Sequence, residues 1–243
     1  MRRRFFVDCF SGKSAALHGN AAEHLGCVLR AEPGQLYELS DGQRVWLGRV
    51  ERVSLRKRGD ARIDFALVEP IAASEPPLRI QLLISLIKFD RFEWCLEKAA
   101  ELGVAEIVPL EAARTDKPLL AAAGKRLERW RKILLESAQQ SRQLRPPTVH
   151  SAMGAADAFA QSTAEVKVLL SAQREARPLR DALRGAAGPA VCVAIGPEGG
   201  WTEEEVTAAR AGGFLEASLG ENILRTETAV LASLAILRFA LGD

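Results

Sequence analysis

The stretch Val193-Ala-Ile-Gly-Pro-Glu-Gly-Gly-Trp-Thr-Glu-Glu-Glu205 compresses the end of a buried strand, a glycine turn and the start of a helix into one continuous run. The apolar residues stop at Ile195, and Thr202-x-x-Glu205 has the spacing of a capping box. Three glycines between Gly196 and Gly200 permit positive φ and let a ligand approach the backbone closely. In open α/β sheets, ligands sit at the carboxyl ends of strands, where this turn falls. No Lys-Ser/Thr pair follows the glycines and no GxGxxG is present, which argues against a nucleoside triphosphate or a dinucleotide. Glu198 puts a negative charge where a phosphate would sit, so a positive or neutral ligand centre fits better. The same residues also suit a tight strand-to-helix turn that needs glycine for geometry alone.

Around this stretch, apolar runs at 80–87, 107–110, 166–170, 190–195 and 214–219 read as buried strands. Helical segments lie between them. Asp90–Leu102 has Asp90-x-x-Glu93 as a capping box, Phe92, Leu96, Ala99 and Leu102 on one face, and Gly103 as its stop. Leu127, Trp130, Leu134 and Ala138 fall at helical spacing on a second one. Strands alternating with helices predict an α/β domain, a parallel sheet covered on both faces.

The best boundary is the Pro/Ala/Ser-rich stretch from Glu69 to Pro77. Before it, short strands are predicted at 4–10, 35–39, 44–53 and 62–68, with Asp41-Gly42 as a hairpin signal. A short helix from Asn20 to about Arg30 opens on Asn20-x-x-Glu23. This pattern predicts a small β-barrel with one helix.

Of the 243 residues, 48% are hydrophobic and 26% charged, ordinary globular usage that excludes disorder as the overall class. The net charge of +2 says nothing about partners. Arginine outnumbers lysine by 25 to 8, which suits phosphate and base recognition or reflects a GC-rich genome. The four cysteines form no CxxC and the three histidines show no metal spacing, so reduced thiols and no metal are expected. No signal peptide is recognised at the N-terminus, and the longest apolar run, Ala229–Leu241, contains Arg238 and is too short to span a bilayer. A cytoplasmic protein is expected. The last helix, Thr228–Leu241, is apolar nearly all round and must be covered on more than one side. A partner subunit is favoured over the centre of the domain.

A second polar segment, Leu219-Gly-Glu-Asn-Ile-Leu-Arg-Thr-Glu-Thr-Ala229, lies between the last strand and that helix. Alone it reads equally well as a structural cap. Together, GPEGG with its Thr-capped acidic helix and LGxxILRTETA resemble the C-terminal signature of the SPOUT RNA methyltransferases. The resemblance is nearest to the RsmE-type family, which methylates N3 of a uridine in 16S rRNA of the small ribosomal subunit. His24-Leu-Gly-Cys-Val-Leu-Arg30 with Pro33-Gly34, and Leu96-Glu-Lys-Ala-Ala-Glu-Leu-Gly-Val104, are similar to the same family. Phe89 stands where the family has glycine, and Gln139 where it commonly has glutamate.

The resemblance implies a PUA-like RNA-binding barrel over 1–72 and a SPOUT domain with a deep trefoil knot over 73–243. It also implies a homodimer and S-adenosylmethionine as cofactor. On this chain the cofactor residues would be Leu170, Ser171, Ile195, Gly196, Pro197, Gly199, Gly200, Leu219, Gly220, Ile223, Leu224, Thr226, Thr228 and Ala229. Arg225 is the expected donor to the uracil oxygens, and Glu198 or Glu227 the expected proton acceptor. RNA contacts are expected at Arg2, Arg3, Arg4, His24, Arg30, Arg142 and Arg145. Rival readings are methylation of another base or a ribose 2′-hydroxyl, and a non-catalytic RNA-binding or ribosome-assembly protein.

Overall fold

The computed structural model describes residues 3–55, 61–173 and 175–242. They form two compact units, Met1–Glu75 with Ala138–Pro146, and Pro76–Ser137 with Pro147–Asp243.

The first unit is a mixed five-stranded sheet in the order β1 (Arg4–Phe6), β3 (Leu36–Ser40), β4 (Val45–Leu55), β5 (Ala61–Ile71), β2 (Ser14–His18). β1 and β3 are parallel and the other pairs antiparallel. Register shifts at Leu47/Gly48 and Val50/Arg52 bend the long β4–β5 hairpin over its own core. Phe5, Leu17, Leu25, Leu39, Ile63 and Phe65 fill that core. Pro70 is tolerated because β2 pairs with β5 only as far as Ala66, leaving one side of the strand open there.

The expected helix over 20–30 forms differently. Gly19, at φ +54°, starts α1 (Gly19–Glu23) one residue early, so Asn20 lies inside the helix and caps nothing. The chain then widens into a π-turn over His24–Val28, with Leu29 N–H donating to His24 O. A Cβ on Gly26 would come within 2.6 Å of a terminal methyl of Leu55, so a larger residue there must push that side chain aside. Within the same unit, segment 138–146 is pinned by Ser40 Oγ donating to Leu144 O at 2.6 Å and by Arg142 Nη1 donating to Glu38.

The second unit is a parallel sheet in the order β11 (Arg177–Pro178), β13 (Leu215–Ser218), β10 (Val166–Leu170), β12 (Ala190–Ile195), β6 (Arg79–Ser85), β7 (Glu106–Glu111), β8 (Thr148–Val149). β9 (Met153–Gly154) pairs farther along β7. Alternate residues of the central strands face opposite cores. Val191, Val193 and Ile195 join α2 (Phe89–Glu101), α4 (Leu127–Gln140), α6 (Leu179–Ala182) and α8 (Thr226–Leu241). Cys192 and Ala194 face α5 (Ala155–Gln161) and α7 (Glu203–Ala211). α3 (Lys117–Ala123) completes the set, and the double burial accounts for the unbroken apolar runs.

Phe92, Leu96 and Ala99 of α2 are buried as its spacing predicts, and Gly103 at φ +75° ends it. The Asp90–Glu93 box does not form. The helix begins at Phe89, whose ring centroid is 6.2 Å from that of Trp130, so Lys88 holds the cap position and Asp90 is already helical. α8 buries Val230, Ser233, Leu234 and Leu237, while Ile236 and Phe239 of its other face are exposed. Among the described residues no helix is long and apolar enough to cross a membrane.

Candidate active site

The glycine turn leaves β12 at Ile195 and closes on itself through Gly200 N–H donating to Pro197 O at 2.9 Å. Gly200 has φ +72°, a conformation other residues rarely hold. A Cβ on Gly196 would lie 3.0 Å from the Trp201 ring, so the indole packs flat against bare backbone. Trp201 is buried, and its Nε1–H donates to Leu170 O at 2.8 Å, tying the turn to the end of β10. α7 then opens on the capping box that the sequence predicts. Thr202 Oγ1 accepts from Glu205 N–H, and Glu205 accepts from Thr202 N–H. The other oxygen of Glu205 accepts from Ala113 N–H at 2.8 Å, joining the cap to the loop after β7.

The segment after β13 completes the enclosure. Gly220 has φ +122°, and Thr226 Oγ1 at the start of α8 donates to Gly196 O at 3.4 Å. Three strand-end segments therefore meet in one cavity of about 640 Å³, lined by residues 170–173, 195–201, 219–220 and 222–226. Every residue expected to hold the cofactor lines it except Thr228, which is exposed on α8.

Arg225 and Glu198 also line the cavity. Glu227 does not; its Oε1 lies 4.0 Å from Arg91 Nε on α2. Burial, with the Glu227 charge adding to it, pushes the Cys95 thiol up to about 12. Glu227 Oε2 is buried with no hydrogen-bond partner among the described residues.

Two arginines in the wall were not expected. Arg91, in the first turn of α2, donates from Nη1 to Glu198 Oε1 at 2.6 Å. Arg114, after β7, donates from Nη1 to Gly199 O at 2.7 Å. Both follow carboxyl ends of parallel strands, the place where ligand residues gather. That rule is the signal that would have found them.

The expected RNA contacts lie in the first unit and divide by environment. Arg2 lies outside the described residues. Arg4 is corrected: it is 7% exposed and donates through Nε and Nη2 to Glu38 Oε2, an internal ion pair with no freedom to meet a phosphate. Arg142 shares Glu38, and Arg145 pairs with Glu75. Arg3 and Arg30 are exposed, and His24 is partly exposed in the π-turn.

A family model for the RNA methyltransferase domain matches residues 74–238. Ribosomal RNA small subunit methyltransferase E of Synechocystis is 36% identical over 219 residues, which cover 87% of this chain and 68% of that protein. The protein of the same name from Mycobacterium tuberculosis is 29% identical over 95% of this chain and 88% of its own length. Among solved structures, the small subunit methyltransferase E of Neisseria gonorrhoeae bound to S-adenosylmethionine superposes with a TM-score of 0.85 at 32% identity, covering 100% of this chain and 99% of that one. A putative methyltransferase of Legionella pneumophila, solved with the same cofactor, also gives 0.85, at 28% identity and with the same two coverages.

Proposed function

The chain belongs to the RNA methyltransferase family of ribosomal RNA small subunit methyltransferase E, and from that premise we propose that it methylates N3 of one uridine in 16S rRNA with S-adenosylmethionine as methyl donor. The observation that carries this reading is the convergence of three strand-end segments on one cavity.

The cavity fits the cofactor. Its volume of about 640 Å³ lies within the roughly 300–1,000 Å³ of small-ligand sites. Leu170, Ile195, Leu219, Leu224 and Ala229 supply apolar wall, and the backbone of Gly196, Gly199 and Gly200 is bare enough to be approached. The bound cofactor supplies a methyl group on a sulfonium, ready for in-line transfer. The chain's own work is positioning and charge. N3 of uracil must lose its proton, and negative charge then spreads onto O2 and O4. Arg225, at the N-cap of α8 and in the cavity wall, faces that charge. Glu198, in the same wall and 56% exposed, takes the proton directly or through one water. Glu227, turned toward α2, is a support for Arg91.

The finer architecture belongs to the same proposal. β13 lies beyond β10 from β12, yet the chain returns from it to pack α8 on α2 and β12. A trefoil knot at the cavity is the form proposed for that return, on the family resemblance. The exposed Ile236 and Phe239 of α8 support a homodimer through this helix. Residues 1–72 act as a PUA-like RNA-binding unit, with Arg3, His24 and Arg30 as contacts, and 73–243 as the catalytic SPOUT domain working on ribosomal RNA in the cytoplasm. Mass spectrometry of nucleosides, after incubation of the protein and S-adenosylmethionine with small subunits lacking the modification, tests the reading. N3-methyluridine is expected; a ribose-methylated nucleoside instead would overturn it.

A further inference from the structure

Arg91, Arg114 and Arg225 line the cavity against a single carboxylate, Glu198. Arg91 and Arg114 come from the ends of β6 and β7, which are neighbours in the sheet, and both hold the same turn. Arg91 takes the Glu198 side chain and Arg114 takes the next carbonyl, Gly199 O. Among the described residues neither guanidinium makes another hydrogen bond; Arg91 Nε has the Glu227 carboxylate 4.0 Å away, so Arg114 keeps most of its fork, and Arg91 its Nη2, for something else. Arg114 is exposed, and the Arg91 side chain is 33% exposed.

A carboxylate on a guanidinium has the geometry and charge of a phosphate there. We propose that Arg91 and Arg114 bind the RNA backbone phosphates beside the target uridine, and that Glu198 is an internal stand-in which the RNA displaces from Arg91. This rests on the methyltransferase reading above and assigns it two substrate-binding residues. The exchange leaves Arg91 paired throughout, so it costs little. It frees Glu198 only when a nucleotide is in place, and the freed carboxylate then receives the N3 proton while the negative charge stays on the uracil facing Arg225. It also raises the threshold for stray polyanions, because any anion must first compete with Glu198.

The test is fluorescence anisotropy with a labelled 16S rRNA hairpin carrying the target uridine, titrated with full-length protein holding S-adenosylhomocysteine over a range of potassium chloride. Arg91→Gln and Arg114→Gln should each weaken binding about tenfold at low salt and flatten the log–log salt slope by about 0.7. Glu198→Gln should tighten binding about threefold. In each arginine variant RNA affinity should fall further than calorimetric affinity for S-adenosylmethionine, since Arg114 also steadies the Gly199 carbonyl of the cofactor wall. Wild-type affinity and slope in both arginine variants, or no gain in Glu198→Gln, would overturn the proposal; should Arg91→Gln fail to fold, the other two variants still decide it. The wild-type nucleoside digest is scored separately, so a protein that binds through these arginines but makes no N3-methyluridine sinks the methylation reading alone.

Discussion

The indole of Trp201 donates its N–H to the main-chain carbonyl of Leu170 at 2.8 Å, so the tip of β10 and the glycine turn after β12 form one wall. Phe159 closes the other side of that ring in an edge-on contact at 5.7 Å. Replacing Trp201 by phenylalanine keeps most of the packing and removes the hydrogen bond. A buried acceptor left unpaired costs about 1–3 kcal/mol. Trp201→Phe should therefore lower the melting temperature by several degrees and weaken S-adenosylmethionine binding about fivefold, measured by calorimetry.

Arg225 stands apart from that wall. Its backbone caps α8, accepting from Ala229 N–H, and the residue lines the cavity. Substitution by alanine leaves the cap bond in place, because that bond uses the carbonyl. Loss of a donor to developing charge typically costs a factor of about 10²–10³ in rate. Arg225→Ala should lower kcat by about that factor, with cofactor affinity within threefold of wild type. Equal losses in both would make Arg225 a cofactor residue.

Legibility followed how local each device is. Thr202 and Glu205 read correctly as a capping box because both partners sit in one turn and nothing else claims them. Asn20–Glu23 and Asp90–Glu93 have the same spacing and form no box, since Gly19 and Phe89 start those helices earlier for reasons outside the motif. The cavity residues at 195–200, 219–220 and 222–226 were legible from the paired motifs, and Leu170 and Ser171 only through the family resemblance. Arg91 and Arg114 were not, because their meaning depends on β6 and β7 lying beside β12, a fact of sheet order. Arg4 misled for the same reason: its carboxylate partner, Glu38, lies far along the chain.

The cysteines give a check independent of function. Cys9 and Cys27 are exposed, while Cys95 and Cys192 are buried. Burial pushes the Cys95 and Cys192 thiols up to about 12, so below pH 9 they are almost wholly protonated as well as shielded. Titration of the native protein with a thiol reagent at pH 8 should modify two cysteines rapidly, and denaturant should release the other two. Fast modification of Cys192 in the folded state would contradict the packing of β12 between two helical layers.

The remaining prediction concerns the outer face of α8. Phe239 is 88% exposed and Ile236 37%, on a helix whose other face packs against α2 and β12. Exposed apolar groups on one helix face commonly mark a subunit interface. Ile223 is also exposed, at 87%, in the segment that lines the cavity. If α8 is the homodimer face, Phe239→Glu places a charge there without touching Val230, Leu234 or Leu237, so the fold should survive and the dimer should not. Analytical ultracentrifugation should show a shift from dimer to monomer at micromolar concentration, with an unchanged far-UV spectrum. Methylation should fall with it, because Arg225 and Ile223 belong to the same loop that enters this helix. A Phe239→Glu protein that stays dimeric would move the interface elsewhere, and a monomeric but fully active one would show the site complete within a single chain.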